Sequence, residues 1–227
     1  MKKSTEKLSN PVWNALNETH KHFAVTYNGV QFYDPEVCPF GAFTQIEQTT
    51  NALNLYAELT HDFFVVGEKP FHDSSITLDR TVVCHQMILD KLLPSIDTST
   101  IEKLTINHVD MLYDLVWLVM PGYFKKRTFE MGDYYGIFDN GNLVAATGER
   151  LQFNDFTEIS AVVTHPDYTR KGLAKQLVTH TAHQILAKGK TPILHVAENN
   201  LGAIKLYEQL GFKSIRKMTW RHYLKTS

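Results

Sequence analysis

The residues best suited to chemistry lie in two stretches of the C-terminal third. The first is THPDYTRKGLAKQL, Thr164 to Leu177. Here Arg170 and Lys171 precede Gly172, Ala174 follows two positions later, and a helical run begins. The first N–H groups of a helix have no internal partner and carry partial positive charge, so anions bind there. Gly172 lets the backbone approach a ligand closely, and Ala174 is small for the same use. The stretch reads as an anion seat or as a solvated basic turn, because short glycine-containing motifs also match by chance.

The second stretch is HVAENNLGAIKLYEQLGF, His195 to Phe212. Asn200, Ala203 and Tyr207 are spaced i, i+3, i+7 and share one helix face. An amide, a gap and a phenol in line can follow a long thin ligand. Taken singly they are a helix cap, a packed alanine and a half-buried tyrosine.

The elements that must carry these residues follow from periodicity and turn chemistry. NHVDMLYDLVWLVM has helical spacing and begins at a cap-like Asn107. YYGIF and LVAATGERLQF flank DNGN, a hairpin signal. EISAVVTH is β-branched, GLAKQLVTHTAHQIL has one apolar helix face, PILHVA is a strand, and NLGAIKLYEQLG is a helix stopped by Gly211. FKSIRKMTWRHYL is a last strand or hairpin. The order is β-α-β-β-β-α-β-α-β: an antiparallel meander, then a strand–helix–strand crossover.

Upstream, helices are expected over 11–22 and in QIEQTTNALNLYAEL. A hairpin is expected around Asn28-Gly29, and strands in DFFVVGE and TVVCHQMIL. LLPSIDTSTIEKLT, with Pro94, Ser95 and Ser99, is the boundary candidate. It divides an N-terminal α/β region, 1–98, from a second domain, 99–227.

Composition narrows the function classes. Apolar residues make up 43% and charged residues 21%, as in ordinary globular proteins. MKKSTEKLSN has no apolar stretch behind its lysines, which argues against a secretory signal. MLYDLVWLVMPGYF, broken by Asp114 and Pro121, is too short to span a bilayer. Cys38 and Cys84 are far apart, outside any CxxC spacing, and read as free thiols of a cytoplasmic protein. Residues 164–227 hold eleven Lys+Arg against three Asp+Glu, net +8, which leaves −9 on the remainder. That asymmetry suggests a local anionic ligand. The basic residues are scattered singly, without the basic-aromatic clustering of a nucleic-acid surface. His20 and His22, and His180 and His183, lack Cys or carboxylate partners at metal-site spacing and read as solvated faces. His165 reads as a turn residue. Tyr134 and Tyr135 read as strand residues, one of which could line an acceptor pocket.

Together the two stretches resemble the GNAT superfamily of acyl-CoA-dependent N-acyltransferases. The resemblance covers roughly 101–224 and is densest over 158–212. The family's V-x-V-x-P-x-[YF]-[RQ]-x-x-G-x-[GA] reads here as VVTHPDYTRKGLA, and its N-x-x-A-x-x-L-Y-x-x-x-G-F as NLGAIKLYEQLGF. The upstream PGYFKKRTFEMGDYYGIFDNGNLVAATGERL is similar to a bacterial branch related to the glycine N-acyltransferase-like proteins. Two departures stand out. Thr169 replaces the family's Arg or Gln, with Arg170 one position later, and Thr164 stands where the strand usually has Val.

The resemblance implies an α/β (α+β) GNAT fold, a mixed sheet with an antiparallel meander and a β-α-β crossover. It allows the N-terminal region to be a degenerate half-copy with no second cofactor site, or the wall of the acceptor pocket. It implies acetyl-CoA as co-substrate, no metal, and transfer of acetyl to a primary amine of a small molecule or amino acid in a ternary complex. A non-catalytic acyl-CoA sensor and a protein N-terminal acetyltransferase are the alternatives. A homodimer is compatible with the resemblance; nucleic-acid and membrane partners are not expected.

By the same resemblance, the CoA diphosphate sits on the backbone of Arg170, Lys171, Gly172, Leu173 and Ala174, with Lys175. The pantetheine arm pairs with the strand at Val162, Val163 and Thr164. Asn200 and Ala203 contact the arm, and Tyr207 lies near the sulfur. The family's reaction requires a base for the amine, a donor for the oxyanion and an acid for the thiolate. Tyr207 is the expected acid and the Val162 N–H the oxyanion donor. Glu158, four residues before Val162 and on the same face by the period of two, is the candidate base. A water chain and Glu149 are the other options.

Overall fold

The computed structural model describes residues 5–91 and 100–226. Pro94, Ser95 and Ser99 of the expected boundary lie outside the described residues. The N-terminal part contains α1 (Pro11–Asn17), β1 (Ala24–Tyr27), β2 (Val30–Tyr33), β3 (Phe40–Phe43), α2 (Thr49–Ala57), β4 (Asp62–Val66) and β5 (Ile76–Leu89). Then follow β6 (Ile101–Lys103), α3 (Val109–Val119), β7 (Tyr134–Asp139), β8 (Asn142–Phe153), β9 (Phe156–Thr164), α4 (Leu173–Ala187), β10 (Thr191–Ala197), α5 (Leu201–Gln209) and β11 (Phe212–Lys225). From β6 onward the order is the one expected from the sequence.

Local chemistry accounts for many of the boundaries. Asn140 and Gly141 both have positive φ, 49° and 79°, as a type I′ turn between β7 and β8 requires. Gly211, φ 93°, ends α5. The start of α3 differs from expectation. Thr105 and His108 form the capping box of a short 3₁₀ turn, and the helix proper begins at Val109, after Asn107. The first helix is shorter than 11–22. β3, in the sequence CPFGAF, went unread because it is short and its four residues are all buried, so no alternation marks it.

Among the described residues, the eleven strands form one sheet in the order β1-β2-β3-β4-β11-β5-β10-β9-β8-β7-β6. The two halves repeat a topology. In the first, β1-β2-β3 is an antiparallel meander and α2 crosses to β4, parallel to β3. In the second, β7-β8-β9 is the meander and α4 crosses to β10, parallel to β9. The final strands interleave: β5 lies between β10 and β11, and β11 lies between β4 and β5. The sheet therefore runs unbroken past the expected division at residue 98.

Helices cover the sheet. α4 and α5 bury Val178, Ala182, Ile185 and Tyr207 against Met87, Ile159 and Leu194. α3 buries Leu112, Leu115 and Val116 against Tyr134, Ala146 and Val163. α1 packs Val12, Ala15 and Leu16 into the cluster of Phe40, Phe153, Phe156 and Trp220. Each buried Val, Leu, Ile, Met or Phe among them contributes about 1.5–3 kcal/mol relative to exposure. These packings hold the seam between the halves in place.

Candidate active site

β9 and β10 pair in parallel from Phe156–Thr191 to Ile159–Leu194, and there the ladder stops. β10 continues as His195–Ala197 against β5, and β9 continues to Thr164 against β8. The strands thus splay. A cleft opens in the gap, lined by Ile159, Ser160, Ala161 and Val162 on one side and His195, Val196 and Ala197 on the other. Asn200 and Tyr207 flank it from α5. Phe40, Val82, Cys84 and Trp220 form a further wall, with Met120 and Tyr123 from the segment after α3.

A bulge shapes β9. Ala161 has φ 49°, and the β8 ladder slips between Ala146–Val163 and Gly148–Ser160. Holding an alanine in the left-handed region costs about 1–2 kcal/mol. The slip changes the alternation. Ile159 and Val162 pack in one cluster against α4 and α5, while Ala161 and Val163 pack in the cluster under α3. Glu158 turns the other way from Ile159, toward Arg150 and His195. The expectation that Glu158 and Val162 share a face therefore fails: the bulge puts them on opposite faces.

Glu158 is fully buried and heavily bonded. Arg150 donates Nε–H to Oε2 at 2.9 Å and Nη2–H to Oε1 at 2.6 Å. His195 Nδ1 lies 2.7 Å from Oε1, and the Leu151 N–H reaches Oε2 at 3.4 Å. Burial alone would raise the carboxyl's pKa, but the Arg150 guanidinium and His195 outweigh it and hold it well below the usual carboxylate range. Gln86 Nε2 donates to the Leu8 carbonyl at 2.9 Å and lies 3.0 Å from His195 Nε2. The Leu8 carbonyl needs an N–H donor, which fixes the amide group. His195 Nε2 therefore accepts, and Nδ1–H donates to Glu158. Such a carboxylate is a weak base and does not reach the cleft surface.

The loop after β9 leads from the cleft to α4. Arg170, φ 61°, and Gly172, φ 78°, both adopt left-handed backbone, a curl that directs successive N–H groups outward. Among the described residues, none of the N–H groups from Arg170 to Lys175 has an acceptor, and Gly172 supplies no side-chain cap. Arg170, Lys171 and Lys175 are exposed. Lys171 Nζ sits 4.3 Å from the centre of the Tyr168 ring. Thr169 turns its hydroxyl back to the Pro166 carbonyl at 3.0 Å. The arrangement can bind an anion through backbone alone.

The other expected site residues fall as follows. Asn200 caps α5 by accepting from the Ala203 N–H at 3.1 Å. Its Nδ2 has no acceptor among the described residues. Ala203 lies half-buried on the same face as Tyr207. Tyr207 is 7% exposed, and burial pushes its hydroxyl up to about 12. Val163 is core, so only its backbone is available, and Thr164 pairs with Ala145. Glu149 is not brought to the cleft. It is buried outside the cleft lining, bonded to Lys188 at 2.7 Å and to Gln152 at 3.1 Å.

Two of the histidines differ from their sequence reading. His20 is buried, 2.9 Å from the Tyr33 hydroxyl and 3.0 Å from the Met131 carbonyl, and desolvation lowers its pKa to about 4. His180 packs on Tyr135, ring centres 4.6 Å apart. His165 accepts from the Asp167 N–H and serves the turn as expected. Tyr134 lines a smaller cavity beside the cleft, together with Arg150 and Tyr123.

Sequence reasoning missed Arg150, His195, Phe40 and Trp220. Arg150 Cζ lies 4.9 Å from the Phe40 ring centre and 5.1 Å from that of Trp220. The four residues come from four strands distant in sequence, and no local spacing connects them.

Comparison with known proteins agrees with this architecture. Residues 134–221 match the family model described as FR47-like protein. Over 94 residues the chain is 32% identical to the [ribosomal protein bS18]-alanine N-acetyltransferase of Escherichia coli (strain K12). That match takes in 39% of this chain and 63% of the relative, so the chain spans under two thirds of the relative's length. A solved GCN5-related N-acetyltransferase from Kribbella flavida shares the fold at TM-score 0.65 and 13% identity, covering 100% of this chain and 97% of that one. A GNAT-family protein from Novosphingobium aromaticivorans DSM 12444 matches at TM-score 0.88 and 30% identity, over 98% of this chain and 100% of its own. At 30% identity over nearly the full length of both chains to that GNAT-family protein, the chain belongs to the GNAT family.

Proposed function

We propose that this chain is an N-acetyltransferase that moves an acetyl group from acetyl-CoA to a primary amine of a small molecule or amino acid, by direct attack with both substrates bound. One observation carries the reading: the splayed β9–β10 cleft leads through β9 into a loop of unpaired N–H groups. The residues fit a long anionic ligand. The loop from Arg170 to Lys175 suits a diphosphate, with the backbone as main donor because Thr169 is turned away. β9 beyond Ile159 offers an unpaired strand edge to an amide-bearing arm, and the free Nδ2 of Asn200 offers a donor.

When bound, the co-substrate supplies an activated thioester. In this reading the backbone at Val162 stabilises charge on the carbonyl oxygen. Tyr207, whose hydroxyl stays protonated, gives its proton to the departing thiolate. The buried state of Glu158 favours water as carrier of the amine's proton, with Glu158 and His195 holding the cleft floor. The two cysteines are buried and unpaired, which fits a reducing compartment such as the cytoplasm. The Pro121–Leu151 run keeps the glycine N-acyltransferase-like branch within this proposal.

The test is thiol release from acetyl-CoA over a panel of amines and amino acids, with a peptide beginning in alanine as a further acceptor. The peptide arm is included because the Escherichia coli relative acts on a protein's alanine. Release only with the peptide would move the assignment to protein N-termini. CoA binding without release on any acceptor would leave a non-catalytic sensor.

A further inference from the structure

Arg150 is held on three sides and open on the fourth. Phe40 and Trp220 lie 4.9 and 5.1 Å from its Cζ and cover the guanidinium. Glu158 takes the edge formed by Nε and one Nη2 hydrogen. A guanidinium has five N–H donors, and this pairing uses two. The remaining edge, Nη1 with the second Nη2 hydrogen, has no acceptor among the described residues. Arg150 nonetheless lines the cleft, with its side chain 16% exposed. Donors left without acceptors in a part-buried site are costly, and this planar fork matches a carboxylate in two parallel hydrogen bonds.

We propose that the open edge of Arg150 is a carboxylate-reading subsite, so that the ligand in this cleft carries a carboxylate near the amide that the transfer forms. The identity of that ligand rests on the acetyltransferase reading above. The carboxylate has two sources: the acceptor, as in an amino acid, or the far end of a dicarboxylic acyl group. The rest of the wall supports selectivity by shape. Val82, Met120, Tyr123 and Trp220 offer apolar contact and no competing cation. Glu158 neutralises Arg150 without blocking its second edge, and His195, donating from Nδ1, keeps Glu158 in place. Arg150 is thus a specificity-determining group, outside the bond-making step.

Binding tests this independently of turnover. With CoA present, calorimetric titration compares N-acetylglycine, N-acetylleucine and N-acetylphenylalanine with the amides that lack the carboxylate, starting from N-methylacetamide. A parallel arm compares succinyl-CoA with acetyl-CoA. At least one carboxylate-bearing ligand is expected to bind about tenfold or more tightly than its neutral counterpart, as loss of a bidentate charged pair predicts. The arm that responds identifies the source. The double substitution Arg150→Met with Glu158→Leu removes both charges, so neither is left buried alone, and should bring the ratio to about one. A thermal melt checks that this variant is folded. Equal binding of charged and neutral ligands by the unmodified protein overturns the proposal, even if that variant is unfolded. So does a preference that survives in the folded variant. Carboxylate selectivity without thiol release would sink the acetyltransferase reading and leave the subsite standing.

Discussion

Val82 on β5 and Trp220 on β11 are direct partners in the antiparallel ladder, and both line the cleft. Phe40 meets Trp220 edge-on at 4.8 Å. The cleft wall is therefore built from both ends of the chain. A fragment of residues 100–227 lacks β5, which leaves β10 and β11 with facing unpaired edges. That fragment is expected to show no cooperative thermal transition and no CoA binding, by circular dichroism and calorimetry. A fragment that melts sharply and binds CoA like the full chain would make residues 99–227 self-sufficient.

Glu158→Gln should destabilise the protein by about 3–5 kcal/mol, since it leaves Arg150 as a buried charge without its partner. The carboxyl's pKa is lowered in the folded state. Its contribution is thus present above the unfolded pKa and lost as pH falls through the folded one. Urea melts at several pH values should give a difference between variant and parent that shrinks in acid. An unchanged midpoint with activity abolished would instead make Glu158 the direct base.

Tyr207→Phe keeps the ring packed against Phe212 and removes the hydroxyl. In the proposed reaction kcat should fall roughly 10²-fold, with KM for acetyl-CoA little changed. Because burial pushes this hydroxyl up to about 12, the parent's kcat should not decline as pH passes the ordinary tyrosine pKa of about 10. Turnover indifferent to the substitution removes the tyrosine from the chemistry.

The loop separates backbone from side-chain binding. A Cβ on Gly172 meets nothing within 4 Å, so Gly172→Ala acts only through its φ of 78°. At about 1–2 kcal/mol, CoA binding should weaken by roughly 5–30-fold. Arg170→Gly loses a charge but relaxes a strained residue, φ 61°, and should leave affinity within about threefold, because an exposed charge contributes little. Calorimetry with CoA checks both. A larger loss at Arg170 than at Gly172 would make the side chain the principal contact.

His222 clamps β11 to its neighbours, with Nδ1 2.8 Å from Asp79 on β5 and Nε2 3.1 Å from Asp62 on β4. Burial opposes its charge, but the bonds to Asp62 and Asp79 prevail and raise its pKa. The bond to His222 is the main cause of a lowered Asp62. The histidine's contribution is full below its unfolded pKa of about 6.5 and is lost as pH rises through the folded value. The Asp62 contribution is lost as pH falls through its own. His222→Gln should therefore cost most, roughly 1–2 kcal/mol, between about pH 4 and 6.5. Thermal melts across pH 3–9, about the range in which these groups titrate, follow it. A difference that grows toward alkaline pH would contradict the clamp.

The sequence by itself determined most of the elements and the glycine turn that opens α4. Asn140-Gly141, Gly172 and Gly211 mark turns and helix ends through backbone conformations that local chemistry sets. The β-branched runs and the apolar face of α4 specify their own periods. The order from β6 to β11, and the Asn200–Ala203–Tyr207 face, were legible for that reason.

Tertiary structure alone decided the rest. Ala161, an ordinary alanine in sequence, takes up the bulge where the β8–β9 ladder slips, just beyond the last β9–β10 pair. That slip, invisible to a period of two, sent Glu158 away from the cleft. Arg150 and His195 acquired roles only when β8, β9 and β10 came side by side. The insertion of β5 between β10 and β11 is a choice of strand partner, and strand pairing is made between residues far apart in the chain.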